Sequence, residues 1–195
     1  MSVKQNIVEQ SIRLFETKGF SETSIQDVVE ALGVTKGTFY YYFQSKEQLL
    51  KEIHLMYIDE LLKRQEQIIR RADINNKSKL MEIVRLLVNQ IRENGRSARV
   101  FFREMRNLNP ESAATVKQKR RTFRLNLQAI IEAGMREGEF RQDLRADLIT
   151  FAILGMCNWS YNWFNPEGPA TDEQLVETYM ETLLHGMERL NKLTK

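Results

Sequence analysis

Apolar residues recur at intervals of three and four along most of the chain, the spacing that gathers them on one face of an α-helix. Ile7, Val8, Ile12, Leu14 and Phe15 set this pattern for a first helix over residues 3–18, and Gly19 closes it with Lys18 in its last turn. A second helix opens at Ser24, where Asp27 completes a capping box with Asp in place of the usual Glu. Ile25, Val28, Val29 and Leu32 form its buried face, Gly33 interrupts it, and Thr35 caps a short third helix over 36–42. Ser45 caps a fourth, with Gln48 at the capping-box position, which Leu49, Leu50, Ile53, Tyr57, Leu61 and Ile68 carry toward Arg71. A polar connector covers 72–77. Helices then follow over 78–94, 97–108, 110–137, 146–164 and 172–190, the last two separated by a turn that holds Pro166, Gly168 and Pro169. No stretch alternates apolar and polar residues for long enough to read as a strand. The expected class is all-α, with a small three-helix domain over 1–47 and a larger helical domain over 48–195.

Composition narrows the class further. The chain has 195 residues, 42% of them hydrophobic and 28% charged, which suits a globular protein and not a disordered one. A single cysteine, Cys157, excludes an internal disulfide, and with only His54 and His185 beside it the usual zinc ligand sets cannot be made. The longest apolar run, 151–157, is far short of a membrane span of roughly 20 residues, and the amino end shows no signal-peptide pattern. A cytoplasmic protein with no membrane partner is expected. Net charge is only +3, but it is unevenly spread. Residues 1–50 hold five basic side chains (Lys4, Arg13, Lys18, Lys36, Lys46) against six acidic ones. Residues 96–124 hold nine basic side chains against Glu104 and Glu111. Charge alone would therefore point to the middle of the chain as a nucleic-acid site.

The chemistry of residues 24–43 points elsewhere. A short helix, a glycine able to take positive φ, Val34 plugging the corner and a capped second helix read as a helix-turn-helix. With Val28, Leu32, Val34 and Phe39 packed inward, Thr35, Lys36, Gly37, Thr38, Tyr40, Tyr41 and Tyr42 are left facing outward. Their hydroxyl and ammonium donors suit phosphate oxygens, and the tyrosine rims and the Thr38 methyl suit a thymine methyl. Gly37 removes a side chain where a phosphate backbone would come close.

The run from Ile12 to Leu50 resembles the N-terminal domain of the TetR family of bacterial transcriptional regulators. Gly19-Phe20, Thr23-Ser24-Ile25, Asp27-Val28, Gly33-Val34, Thr35-Lys36-Gly37-Thr38-Phe39-Tyr40, Tyr42-Phe43 and Ser45-Lys46-Glu47 carry the likeness, and Val29, where the family usually has Ala, departs from it. The resemblance implies a homodimer that reads a palindromic double-stranded operator and a C-terminal domain that dimerises and holds a small effector. By position it assigns DNA contacts to Ser24, Thr35, Lys36, Gly37, Thr38, Tyr40, Tyr41, Tyr42 and Lys46, and leaves Phe39 and Phe43 to the core. It further implies that effector binding shifts the fourth helix and so the heads.

In the remaining chain, Leu148, Phe151, Ala152, Gly155, Trp159 and Trp163 recur along one helix, and Leu175, Val176, Tyr179, Leu183, Gly186, Met187 and Leu190 along the next. These two helices are the expected dimer interface, with part of the set left to the protomer's own core. Phe101, Met105, Phe123, Leu127, Met156, Trp159 and Trp163 are candidates to line an effector pocket, with Leu86 beside them and Arg106, Arg120 and Arg124 at its basic edge. An apolar slot beside arginines fits a ligand with an apolar tail and a phosphate-bearing head, such as an acyl-CoA thioester. Residues 155–169 resemble, more loosely, the same stretch in TetR-family regulators of lipid, sterol and aromatic-acid catabolism that respond to acyl-CoA. The alternatives are a drug-efflux regulator answering to a hydrophobic or cationic compound, a basic stretch that is only a solvated face, and a helical interaction protein without DNA binding. No resident cofactor is expected. Phosphate-cradling glycine loops, serine elbows and metal-spaced pairs are lacking, so an enzyme is not expected.

Overall fold

The helix starts and stops written in the sequence reappear as hydrogen bonds in the computed structural model, which describes residues 2–187. The described elements are α1 (Val3–Thr17), α2 (Ile25–Leu32), α3 (Lys36–Tyr42), α4 (Lys46–Ile69), α5 (Asn76–Arg103), α6 (Pro110–Arg136), α7 (Ala146–Trp159) and α8 (Asp172–Met187), with 3-10 turns at Glu104–Asn107 and Ser160–Asn162. The fold is all-α, with no strand among the described residues. Leu190, expected on the last helix, lies outside the described residues, as does the packing of Gly186 and Met187.

The helix expected over 146–164 ends at Trp159 and passes into the 3-10 turn, and a larger difference lies in α5. Helices over 78–94 and 97–108 are a single α5 with a kink, where Asn94 leaves helical geometry at φ −136°, ψ 29°. Asn94 and Gly95 are both weak helix formers, so the pattern break bends the helix without ending it.

By compactness the chain forms two units, one of residues up to Glu60 with Asn94–Lys119, the other of Leu61–Glu93 with the chain from Arg120 on. In the first, Ile7, Phe15, Phe39, Phe43, Leu49, Leu50, Val100 and Phe101 are buried. Phe15 meets Phe20 edge to face at 5.2 Å. His54 is fully buried, its Nδ1–H donating to the Leu50 carbonyl at 2.9 Å and its ring 5.3 Å from Phe101.

In the second, Leu80, Ile83, Val84, Leu127, Ile131, Phe140, Ile153 and Val176 form the core. Gly134 is required there, because a Cβ would collide with the Phe140 ring. Cys157 is buried beside them, and burial pushes its thiol up to about 12, so it stays protonated at neutral pH.

The last two helices are not alike. On α8, Leu175, Val176, Met180, Leu183 and Leu184 all turn into this unit's core, and the outer positions are Glu177, Thr178, Glu181 and Thr182. On α7 Ile153 and Cys157 turn inward, but Leu148, Phe151 and Trp159 stay 56%, 55% and 68% exposed, with Ala152 and Gly155 between them.

The start of α5 is closed from a distance. Asn75 Oδ1 accepts from the Ser78 amide at 2.9 Å, and Glu139 accepts from the amides of Asn76 (3.0 Å) and Lys77 (2.8 Å) and from Asn76 Nδ2 (2.8 Å). Burial alone raises the Glu139 pKa and is the largest single influence. The donors from Lys77 and Asn76 together outweigh it and hold the group below its ordinary value. A folded-state pKa below the unfolded one means stability that is present above the ordinary carboxylate range and is lost as pH falls through the folded value. Glu139→Gln is therefore expected to cost about 1–2 kcal/mol at pH 7. In thermal melts followed by circular dichroism, the gap to the parent protein should close as pH falls from about 5 to about 3. A gap that stays constant over that range contradicts this role.

Candidate DNA-binding interface

The turn between α2 and α3 is built as the sequence requires. Gly33 takes φ 65°, ψ 30°, a left-handed geometry that costs a glycine nothing. Its amide donates to Glu30 O at 3.1 Å and that of Val34 to Val29 O at 3.0 Å, the paired bonds of a Schellman stop. At the other end of α2, Ser24 Oγ accepts from the Asp27 amide (3.1 Å) and Asp27 Oδ2 accepts from the Ser24 amide (2.7 Å). The Ser24 hydroxyl, the Ser24 amide and Lys18 hold Asp27 far below the ordinary carboxylate range. Thr35 caps α3 by accepting from the Thr38 amide at 3.2 Å, and the two hydroxyls lie 3.1 Å apart.

Phe39 and Phe43 are buried, as expected of core residues. On the other side of α3, Tyr41 is 81% and Tyr40 54% exposed, and Thr35, Lys36 and Gly37 are exposed with them. Thr38 and Tyr42 are half-buried, Tyr42 edge-on to Tyr41 with ring centroids 4.8 Å apart. Ser24 is exposed at the start of α2. A Cβ at Gly37 would meet nothing nearer than Thr35 Oγ1 at 3.5 Å, so packing inside the chain does not require glycine there.

Lys46 has a role that the sequence did not reveal. Its ammonium donates to the carbonyls of Phe20 and Thr23, each at 2.7 Å, and lies 4.3 Å from the Phe20 ring centroid. An ammonium has three donors, so one remains for an outside acceptor. Lys4 pairs with Glu52 at 2.8 Å and Lys18 with Asp27 at 3.0 Å. Three of the five basic groups in residues 1–50 are thus engaged inside the fold.

The ten effector candidates fall in both units. In the first, Phe101 is buried against Tyr57 with ring centroids 4.7 Å apart, Met105 is half-buried and Arg106 exposed. In the second, Phe123 and Leu127 are buried, Met156 is half-buried, and Trp159 and Trp163 are 68% and 54% exposed. Arg124 holds its guanidinium 5.1 Å from the Phe151 ring centroid. Arg120 is exposed as a residue, while desolvation lowers the pKa of its guanidinium. The second unit also has a cavity of about 300 Å³ whose lining includes Arg64, Arg71, Arg85, Ile68 and Leu86. Of the expected pocket residues it takes in Leu86.

A capped three-helix head with a glycine corner and an exposed row of hydroxyl and ammonium donors defines a helix-turn-helix protein. Its family follows from comparison with known proteins. The model for bacterial regulatory proteins of the tetR family matches residues 7–53, and that for the tetracyclin repressor-like C-terminal domain matches residues 73–187. The chain belongs to the TetR family and is a DNA-binding transcriptional regulator. It is similar to the HTH-type transcriptional repressor KstR2 of Rhodococcus jostii, 24% identical over 186 residues, covering 94% of this chain and 90% of the relative. The structure of the TetR-family regulator PfmR from Thermus thermophilus superposes with a TM-score of 0.85 at 33% identity, over 94% of this chain and 99% of that one. That of AibR in complex with isovaleryl coenzyme A and operator DNA gives a TM-score of 0.83 at 25% identity, over 92% of this chain and 96% of that one.

Lys46→Ala removes both carbonyl bonds at once. It is expected to lower unfolding stability by about 1–3 kcal/mol in urea titrations. A lysine that served only as a phosphate contact would leave the urea midpoint where it was.

Proposed function

We propose that the protein is a homodimeric cytoplasmic repressor that occupies a palindromic operator and leaves it when an acyl-CoA thioester binds. The observation that carries the DNA half of this reading is the exposed donor row of α3, set on two buried phenylalanines. In this reading Tyr40 and Tyr41 meet base edges in the major groove, while Ser24, Thr35, Lys36, Thr38, Tyr42 and the third donor of Lys46 hold phosphates. Gly37 lets the DNA backbone approach, which gives its helix-propensity cost a purpose. The apolar face of α7, with Leu148, Phe151 and Trp159 in the open, supports a second copy of the chain as its cover.

For the effector, the second unit brings Phe123, Leu127, Met156, Trp159 and Trp163 into the same body as Arg120 and Arg124. Aromatic and aliphatic surface beside guanidinium groups suits an acyl chain joined to a phosphate-bearing head. The isovaleryl coenzyme A held by AibR supports the same choice. Binding would move the two heads of the dimer off successive major grooves, which lie about one helical turn or a small multiple apart.

The DNA half is tested by selecting duplexes from a randomised pool with the purified protein and measuring affinity by fluorescence anisotropy. Tyr41→Ala and Tyr40→Ala are each expected to weaken binding to the selected duplex by about tenfold or more at an unchanged melting temperature. With few phosphates met by cations, the slope of log K against log salt should be no steeper than about −4. If no duplex is enriched at low salt, the DNA reading of α3 fails.

The effector half is tested by thermal shift with acyl-CoA thioesters of rising chain length, against free CoA and free fatty acids. A thioester at about 100 times its Kd stabilises by about 2.7 kcal/mol and should release the duplex at the same concentrations. Shifts with hydrophobic cations and none with thioesters would select the efflux-type reading.

A further inference from the structure

The basic stretch that draws attention in the sequence spends much of its charge inside the first unit. Arg96, Arg99 and Arg103 stand three and four residues apart on α5, beyond the Asn94 kink, and so share one helix face. Glu16, in the last turn of α1, takes two of them. Arg99 donates to Glu16 Oε1 through Nε at 2.8 Å and Nη2 at 2.5 Å, and Arg96 Nε lies 3.5 Å from Oε2. A Cβ at Gly95 would meet the Arg99 guanidinium at 3.4 Å, an ordinary contact, so the grip does not require glycine there.

Arg103 takes the backbone of the same turn. Its Nη2 donates to the carbonyls of Phe15 (2.5 Å) and Glu16 (2.7 Å), at the negative end of the α1 dipole. Its Nε is aimed by Glu104 at 2.9 Å, a buried carboxylate that also accepts from Asn107 Nδ2 at 2.7 Å. Two residues beyond Glu16 stands Lys18, which pairs with Asp27 in the cap of α2. Charged contacts therefore tie α5 to the end of α1, and a separate pair ties the end of α1 to the start of α2, wholly within one unit.

We propose that Glu16, Arg99 and Arg103 form a positioning clamp for DNA binding, which holds the end of α1 and, with the Lys18–Asp27 pair, sets the helix-turn-helix against it. These are positioning residues and touch no DNA. The Arg99 and Arg103 side chains keep 41% and 46% of their exposure, but Glu16 and Glu104 keep only 19% and 4%, so the carboxylates rest inside the fold and depend on these partners.

The inference rests on DNA binding by α3, and the test separates the two. The probe is the duplex enriched by the parent protein, together with duplexes whose half-sites are moved apart or together by one base pair. Glu16→Gln and Arg99→Met are expected to weaken binding to the enriched duplex by about tenfold and to narrow the discrimination against the respaced ones, with helix content unchanged. The exchange Glu16→Arg with Arg99→Glu, made together with Arg96→Met so that no like charge faces the new arginine, rebuilds the pair with its charges reversed and should restore affinity to within about threefold of the Arg96→Met protein. Parent-like affinity and spacing preference in Glu16→Gln overturn the clamp, as does an exchange variant no better than Glu16→Gln. Weakening that is equal for enriched and unrelated DNA also overturns it. If the parent enriches no duplex, the DNA reading itself has failed and the clamp falls with it.

Discussion

A helix of seven residues does not hold itself together in water, because its nucleus costs more than its few hydrogen bonds return. Yet α3 must present its outer face at a fixed angle. Burial of Phe39 and Phe43 supplies what propensity cannot, with ring centroids 5.7 Å apart in the core of the first unit. The Thr35 cap and the left-handed Gly33 then fix where the helix begins. Every property of the exposed tyrosines depends on those two hidden rings. A residue that shifted either ring would retune the recognition face without touching it.

What the sequence made legible was local. Caps at Ser24 and Thr35, the glycine corner, the buried phenylalanines and the outward Tyr40 and Tyr41 follow from spacing over four or five positions and are found, while Tyr42, expected outward with them, is half-buried edge-on to Tyr41. What it hid was contact between distant positions. Glu139 closes α5 across more than sixty residues, Arg99 reaches Glu16 across 83, and Lys46 ties down carbonyls of the loop before α2. Carbonyl acceptors leave no trace in a sequence, because every residue has one. The kink at Asn94 was half legible: the pattern broke at the right place, but a break cannot tell a bend from an end.

Charge is the clearest case of a count that misleads. By composition the head is slightly acidic and the 96–124 stretch strongly basic. In the fold, Arg96, Arg99 and Arg103 face Glu16 and the end of α1, and Lys119 pairs with Asp59 at 2.6 Å. A guanidinium with a carboxylate already in its fork has little left to offer a phosphate. Four of the nine basic groups of that stretch are thus spent inside the first unit, while the donors of α3 face solvent.

The same reasoning applies to α7 and α8, which are equally apolar to the eye. Periodicity marks an apolar face but does not say which body covers it. On α8 the described apolar residues are consumed by their own unit, and the outer positions Glu177, Thr178, Glu181 and Thr182 are polar. On α7 apolar residues lie on two sides, Ile153 and Cys157 inward and Leu148, Phe151 and Trp159 outward. Water on that outer face costs about 25 cal/mol for each Å² left uncovered, a cost that a solitary chain has no evident reason to carry. Gly155 lies in the middle of the stripe, and among the described residues nothing lies within 4 Å of the Cβ it lacks, so packing inside the described chain does not require glycine there. A glycine and two large rings on one exposed face make a surface shaped for close approach by another helix. That argument is independent of the head, and it supports the second copy of the chain that the proposed function invokes.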